Sequence, residues 1–141
     1  MRILLLSILS ALLLSASDTN HQVKILEKIV SEISINKQVK IWSDDKEILY
    51  ALKNSKKFKT VTECYRASFI ILKEKKNLSK VCDSVHIFVL NYKLLSDIPQ
   101  SFGALFWKKG RPNIVIIEPR IQRQNIQITT NLKPYLEEKV W

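Results

Sequence analysis

Cys64 and Cys82 are the side chains whose type and spacing point most directly to a reaction. Each stands just ahead of a strongly apolar stretch: Cys64-Tyr65-Arg66-Ala67 leads into one, Cys82-Asp83-Ser84-Val85 into the other. If those stretches are neighbouring parallel strands, the matched offsets bring both Cα atoms to the same end of the sheet. Neighbouring strands lie ~4.8 Å apart, inside the ~4.4–6.8 Å that a disulfide tolerates. The expectation is a Cys64–Cys82 disulfide, worth roughly 3 kcal/mol in the chain-entropy model. Two free, buried cysteines are the bland alternative.

The other reactive residue types are arranged less pointedly. His21 falls in the expected N-terminal tail, and His86 sits inside an apolar run with no ligand-spaced partner, so no metal is expected. A G-x-S-x-G nucleophile turn is absent, and the cysteines are better used as a bridge. Phosphate-cradling loops need glycine, and the chain holds only Gly103 and Gly110. Asp44-Asp45 has the composition of an acid/base pair, but helix capping accounts for both. No catalytic residue and no cofactor is therefore expected.

The segment that must come off before these residues can be positioned is MRILLLSILSALLLSAS. Arg2 supplies a positive start, Ile3 to Leu14 an apolar run, and Ser15-Ala16-Ser17 the small residues that signal peptidase requires. The run is short for a membrane span, which takes roughly 20 residues. No cysteine at the cleavage site invites a lipid anchor. Residues 1–17 are read as a signal peptide and residues 18–141 as one exported, periplasmic domain. Removing 17 of 141 residues leaves 124, enough for a single core and with no stretch long enough to be transmembrane. An oxidising compartment and an even cysteine count agree with the bridge.

Within that domain the pattern alternates. Ile25 or Leu26, Ile29, Val30 and Ile33 carry the spacing of an amphipathic helix over Gln22 to Ile33. Val39 to Trp42 reads as a short strand, Ser43-Asp44-Asp45 as the cap of a helix over Lys46 to Lys53, and Phe58 to Thr62 as another strand. Ala67 to Leu72 and Val85 to Leu90 are continuous apolar runs, which indicates strands buried on both faces of a parallel sheet. Phe102 to Trp107 and Asn113 to Ile117 flank Lys108-Lys109-Gly110-Arg111-Pro112, read as a hairpin with a five-residue basic tip. Glu118-Pro119 starts a short helix. Thr129 or Thr130 is expected to cap a last one. The fold class is α/β: a single domain with a mixed, largely parallel sheet, a C-terminal β-hairpin and terminal helices.

Net charge is +10, or +9 once Arg2 is removed. That excess suits an acidic partner or anionic lipid, while nucleic acid is not expected because no nucleic-acid module is present. A lysine-rich solvated surface explains the same number without any partner. The hairpin sharpens the question. Phe102, Ala104 and Phe106 alternate with Gly103, Leu105 and Trp107, so both faces of the strand are apolar. Either the domain covers both faces, or one of them meets a partner. Phe102, Phe106, Trp107, Lys108, Lys109 and Arg111 are the candidate partner-binding residues.

The order of these features resembles the YfiR-like family of small periplasmic proteins. The similarity runs from Cys64 to Leu136: CYRASFIIL, VHIFVL, FGALFW, a basic turn, NIVIIEP and the ending RIQRQNIQITTNLKPYL. VKIWSDD is also similar to the family's opening strand and turn. Two departures stand out. ILEKIVSEISIN replaces an aromatic-rich helix ending in tryptophan-proline, and Ile117-Glu118 lacks the family's asparagine. The resemblance implies a regulator that binds the periplasmic domain of a membrane signalling protein, typically a diguanylate cyclase of cyclic di-GMP signalling, and holds it inactive without chemistry of its own. A homodimer stays open. A small solute-binding module, with its ligand at the carboxyl ends of the strands, is the alternative from another class.

Export yields the first prediction. Mass spectrometry of the protein from the periplasm of its host should find an N-terminus at Asp18, or within a residue or two of it. An intact Met1 in that pool would overturn the signal peptide.

Overall fold

The computed structural model describes residues 19–141, so the expected export signal and its cleavage site lie outside the described residues. A helix, α1, covers 19–31. It is followed by β1 (Ile33–Ser34), β2 (Lys40–Ser43), α2 (Lys46–Ser55), β3 (Lys59–Thr60), β4 (Phe69–Leu72), β5 (His86–Val89) and α3 (Leu94–Asp97). Then come β6 (Ser101–Lys108), β7 (Arg111–Ile117), α4 (Glu118–Arg123), β8 (Gln127–Ile128) and β9 (Leu136–Glu137). One seven-stranded sheet runs in the order β3-β2-β4-β5-β6-β7-β9, and β1 pairs with β8 apart from it. Strands β3, β2, β4, β5 and β6 are parallel, and β7 turns back antiparallel to β6. The α/β class with a mixed, mostly parallel sheet and a C-terminal hairpin is thus what the chain adopts.

The apolar runs behave as their composition requires. Every residue from Phe69 to Leu72 is buried, and Phe69 and Ile71 enter one core while Ile70 and Leu72 enter the other. The first core is closed by α1 and α2 through Leu26, Ile29, Ile48 and Leu52. The second is closed by Leu94, Leu95 and Ile98 in and beside α3, with Cys82. Burial on both faces is the hallmark of a parallel sheet sandwiched between helical layers.

Strand β6 holds a local irregularity that the alternation missed. Ile87 opposes Ser101 but Phe88 opposes Gly103, leaving Phe102 as an extra residue. A bulge of this kind re-aims a side chain. Phe102 therefore turns into the α1–α2 core, where its ring lies 5.7 Å from those of both Phe69 and Phe88. Gly103 makes this packing feasible. A Cβ there would stand 2.8 Å from the Val115 carbonyl oxygen and 2.9 Å from the Phe88 ring.

Several expectations need correcting. The tip of the hairpin is two residues, not five: Lys108 pairs with Arg111 and Trp107 with Pro112. Lys109 (φ 52°) and Gly110 (φ 75°) both take positive φ, the tight turn whose twist matches the flanking strands. Pro112 is tolerated because the second pair from such a turn exchanges no hydrogen bonds, so its missing N–H lies on the outer edge. Ile33 leaves the first helix and pairs in β1 with Ile128. The helix α2 runs past Lys53 to Ser55, and Lys56 caps it in the left-handed region. The strand read over Phe58 to Thr62 contracts to Lys59–Thr60. The last helix, Thr130–Tyr135, is 3-10, and the Thr129 side chain gives it no capping bond; that hydroxyl donates to Glu32 instead.

Gly103→Ala should lower stability by about 1–3 kcal/mol, the usual cost of overpacking a core. Urea denaturation reads it directly. An unchanged midpoint would show that the close approach of Phe88 is dispensable.

Candidate functional site

The disulfide expectation rests on strand pairing, and the pairing is as required: Phe69 to Leu72 lie opposite His86 to Val89 in parallel register. Cys64 sits in a 3-10 turn, Cys64–Arg66, ahead of β4, and Cys82 in another, Lys80–Cys82, ahead of β5. Their Cα atoms are 5.8 Å apart and the sulfurs are at bonding distance. Cys82 is fully buried, while Tyr65 and Val81 beside the bridge are exposed. Its placement among packed side chains suits a staple between two neighbouring crossover segments.

The hairpin divides its residues into scaffold and surface. Phe102 is wholly buried, which removes it from the candidate contact residues. Phe106 is half-buried and meets the Tyr92 ring at 5.2 Å, so it belongs mainly to the α3 face. Trp107 is 43 % exposed. It leans on His21 at 5.6 Å, which places His21 on α1 rather than in a tail. Lys108, Lys109 and Arg111 are exposed, and none joins an ion pair among the described residues. The structure thus gathers Trp107, Lys108, Lys109 and Arg111 on one rigid, positively charged projection.

A second place was legible only in part. The strand order reverses between β2 and β4, the topological switch point where open α/β sheets bind ligands beyond their carboxyl ends. Asp45 there caps α2, its Oδ1 accepting from Glu47 N (3.0 Å) and Ile48 N (3.2 Å). Asp44 does not cap. It crosses to the loop after β4 and accepts from Lys73 N (2.7 Å), Glu74 N (3.0 Å) and Asn77 Nδ2 (2.8 Å). Lys73 Nζ reaches Asp45 at 3.5 Å. Helix N-termini and successive backbone N–H groups are the usual anion seats. Here both seats are filled by the protein's own carboxylates.

The opposite end of the sheet is tied by uncharged and cationic groups. His86 Nδ1 meets Gln124 Oε1 at 3.0 Å, and Gln124 Nε2 donates to Gln100 O at 2.7 Å. Arg120 Nη1 donates to Leu95 O (2.7 Å) and Ser101 O (2.8 Å). Desolvation, then repulsion from Arg123, pulls the Arg120 pKa below its ordinary value; it remains a cation at neutral pH. Glu32 is lowered by hydrogen bonds from Thr129 and Asn131. Among the described residues no three His, Cys, Asp or Glu side chains converge as a metal needs, and no helix is long and apolar enough to cross a membrane. No protein-family model matches the chain, and no curated protein matches its sequence.

The bridge gives the next prediction. Non-reducing peptide mapping of material from the native host should recover the Cys64 and Cys82 peptides crosslinked. Replacing both by serine should cost roughly 3 kcal/mol, as expected for a loop with a sequence separation of 18. Two free thiols in native material would overturn it.

Proposed function

We propose that this protein is an exported binding protein without catalysis, which regulates a partner by contact through the β6–β7 hairpin. The observation that carries the reading is the projecting turn itself, with exposed Trp107 braced by His21 and flanked by the exposed cations Lys108, Lys109 and Arg111, which have no acidic partner among the described residues. Tryptophan and arginine are the side chains that most often dominate interface energy. A short, tight turn loses little freedom on binding, so more of the contact energy survives as affinity.

The YfiR-like resemblance supplies the partner: the periplasmic domain of a membrane signalling protein, such as a diguanylate cyclase, held inactive by the bound regulator. The Asp44 and Asp45 contacts favour this over a solute-binding module. An anionic solute entering at the switch point would have to displace two tethered carboxylates from the N–H groups it needs.

Charge reversal at the tip tests the reading. Lys109→Glu with Arg111→Glu alters exposed side chains, and such surface changes usually shift stability by no more than about 0.5 kcal/mol. Association with the periplasmic domain of a membrane diguanylate cyclase from the same host should slow markedly at low salt and less at high salt. A folded double variant that binds as fast as wild type at both salt concentrations would make the hairpin scaffold only.

A further inference from the structure

Beside the hairpin lies a groove of about 420 Å³, bounded by α1, the outer edge of β7 and the terminal 3-10 helix. Its walls include Ile25 and Lys28 from α1, Pro112 and Ile114 from β7, and Leu132 and Tyr135 from the 3-10 segment. The floor is a strand edge. Strand β9 reaches β7 only at Ile116 and Ile117, so among the described residues the stretch from Arg111 to Val115 has no strand on its outer side.

The hairpin register decides what that edge offers. Pairs next to and alternating from a two-residue turn exchange hydrogen bonds inward, here Lys108 with Arg111 and Phe106 with Asn113. The carbonyls of Pro112 and Ile114 and the Ile114 N–H therefore point outward, towards the groove. Unpaired edge groups of this kind are templates for an added strand. Two partly exposed rings adjoin it: Tyr135, 39 % exposed, lines the groove, and Trp107, 43 % exposed, packs on His21 of its wall.

Resting on the binding reading above, we propose that this groove receives an extended, acidic segment of the partner, added as a strand along the outer edge of β7. Charge selects the occupant. Lys28 lines the groove, and Lys108, Lys109 and Arg111 stand at the hairpin end of the same edge. Glu32, just past the end of α1, is engaged by Thr129 and Asn131, and Glu27 on α1 is paired with Lys57. A second copy of this chain is disfavoured because the net charge of +10 and the cations on the edge repel it. The same cations attract carboxylates spaced along a strand, whose alternate apolar side chains would enter between Ile25, Ile114 and Leu132. Pro112 removes one donor and so fixes where pairing begins.

The test uses the protein as exported, and a short fluorescein-labelled peptide alternating glutamate with valine, beside its lysine-for-glutamate counterpart. The acidic peptide should bind saturably, the basic one should not, and the Ile114 amide should shift and exchange more slowly in the complex. Lys28→Glu, at an exposed position, should weaken acidic-peptide binding roughly tenfold, the effect of losing about 1.4 kcal/mol. Ile25→Trp, which fills the groove, should weaken it as well. The proposal is overturned by no binding of the acidic peptide, by binding that leaves Ile114 unperturbed, by Lys28→Glu binding like wild type, or by a self-associated chain that covers the edge. Failure of the two readings is separable. Sensor-domain binding that resists Lys28→Glu and Ile25→Trp but falls with tip reversal removes the groove alone. Peptide binding at Ile114 with no sensor-domain binding removes the signalling partner alone.

Discussion

Strands β4 and β5 have almost no face to give to water. Phe69 to Leu72 and Ile87 to Val89 are all fully buried, and their side chains alternate between two cores. A sheet centre of this kind has to be covered twice, and the rest of the chain is arranged to do so. The apolar stripe of α1 and the Ile48 and Leu52 side of α2 cover one face; Leu94, Leu95, Ile98 and the cysteine-bearing turns cover the other. Parallel pairing forces each connection to return to the starting end. The connection between β4 and β5, which carries two short 3-10 turns, is too short for a long helix, so the bridge between Cys64 and Cys82 substitutes for packing there.

Polar contacts at the two ends of the sheet do the complementary work of fixing the connections. Asp44 binds the loop after β4 to the end of β2, while Arg120 and Gln124 bind the α4 segment to α3 and to the stretch that follows it. Among the described residues no buried side-chain nitrogen or oxygen lacks a partner. Satisfied networks specify one arrangement, whereas a missing partner would leave a costly orphan. The same contacts engage Asp44, Asp45 and His86. The chain's reactive-looking carboxylates and its histidine at β5 are therefore explained by architecture.

What could be read from the sequence depended on whether the cause was local. Continuous apolar runs located β4 and β5, and the matched cysteine offsets located the bridge, because both follow from strand geometry alone. The hairpin was legible as a hairpin, but its tip is two residues and not five, because only the register reveals that the absent N–H of Pro112 lies on the unpaired side. Phe102 looked available for a partner because strict alternation was assumed; the bulge beside Ile87 and Phe88 turns it inward. The Asp44 clamp had no local signal, since its acceptors' partners lie 29 to 33 residues away. The two-residue strands β1, β8 and β9 are set by tertiary pairing and carry no pattern of their own.

The same distinction bears on how the surface came to be basic. Cations scattered over a lysine-rich chain need no function, and in the Lys73 to Lys80 region Lys73 and Lys76 sit beside carboxylates that offset them locally. The hairpin cations differ in what surrounds them. Lys108, Lys109 and Arg111 have no acidic partner among the described residues, stand on a turn fixed by two positive-φ residues, and adjoin an aromatic ring that is itself held by a second ring. Solvation alone would be served as well by flexible lysines on a loose loop. A rigid mount adds nothing to solubility, but it keeps charge and ring in a fixed relation, which is the condition under which a contact surface gains both rate and affinity.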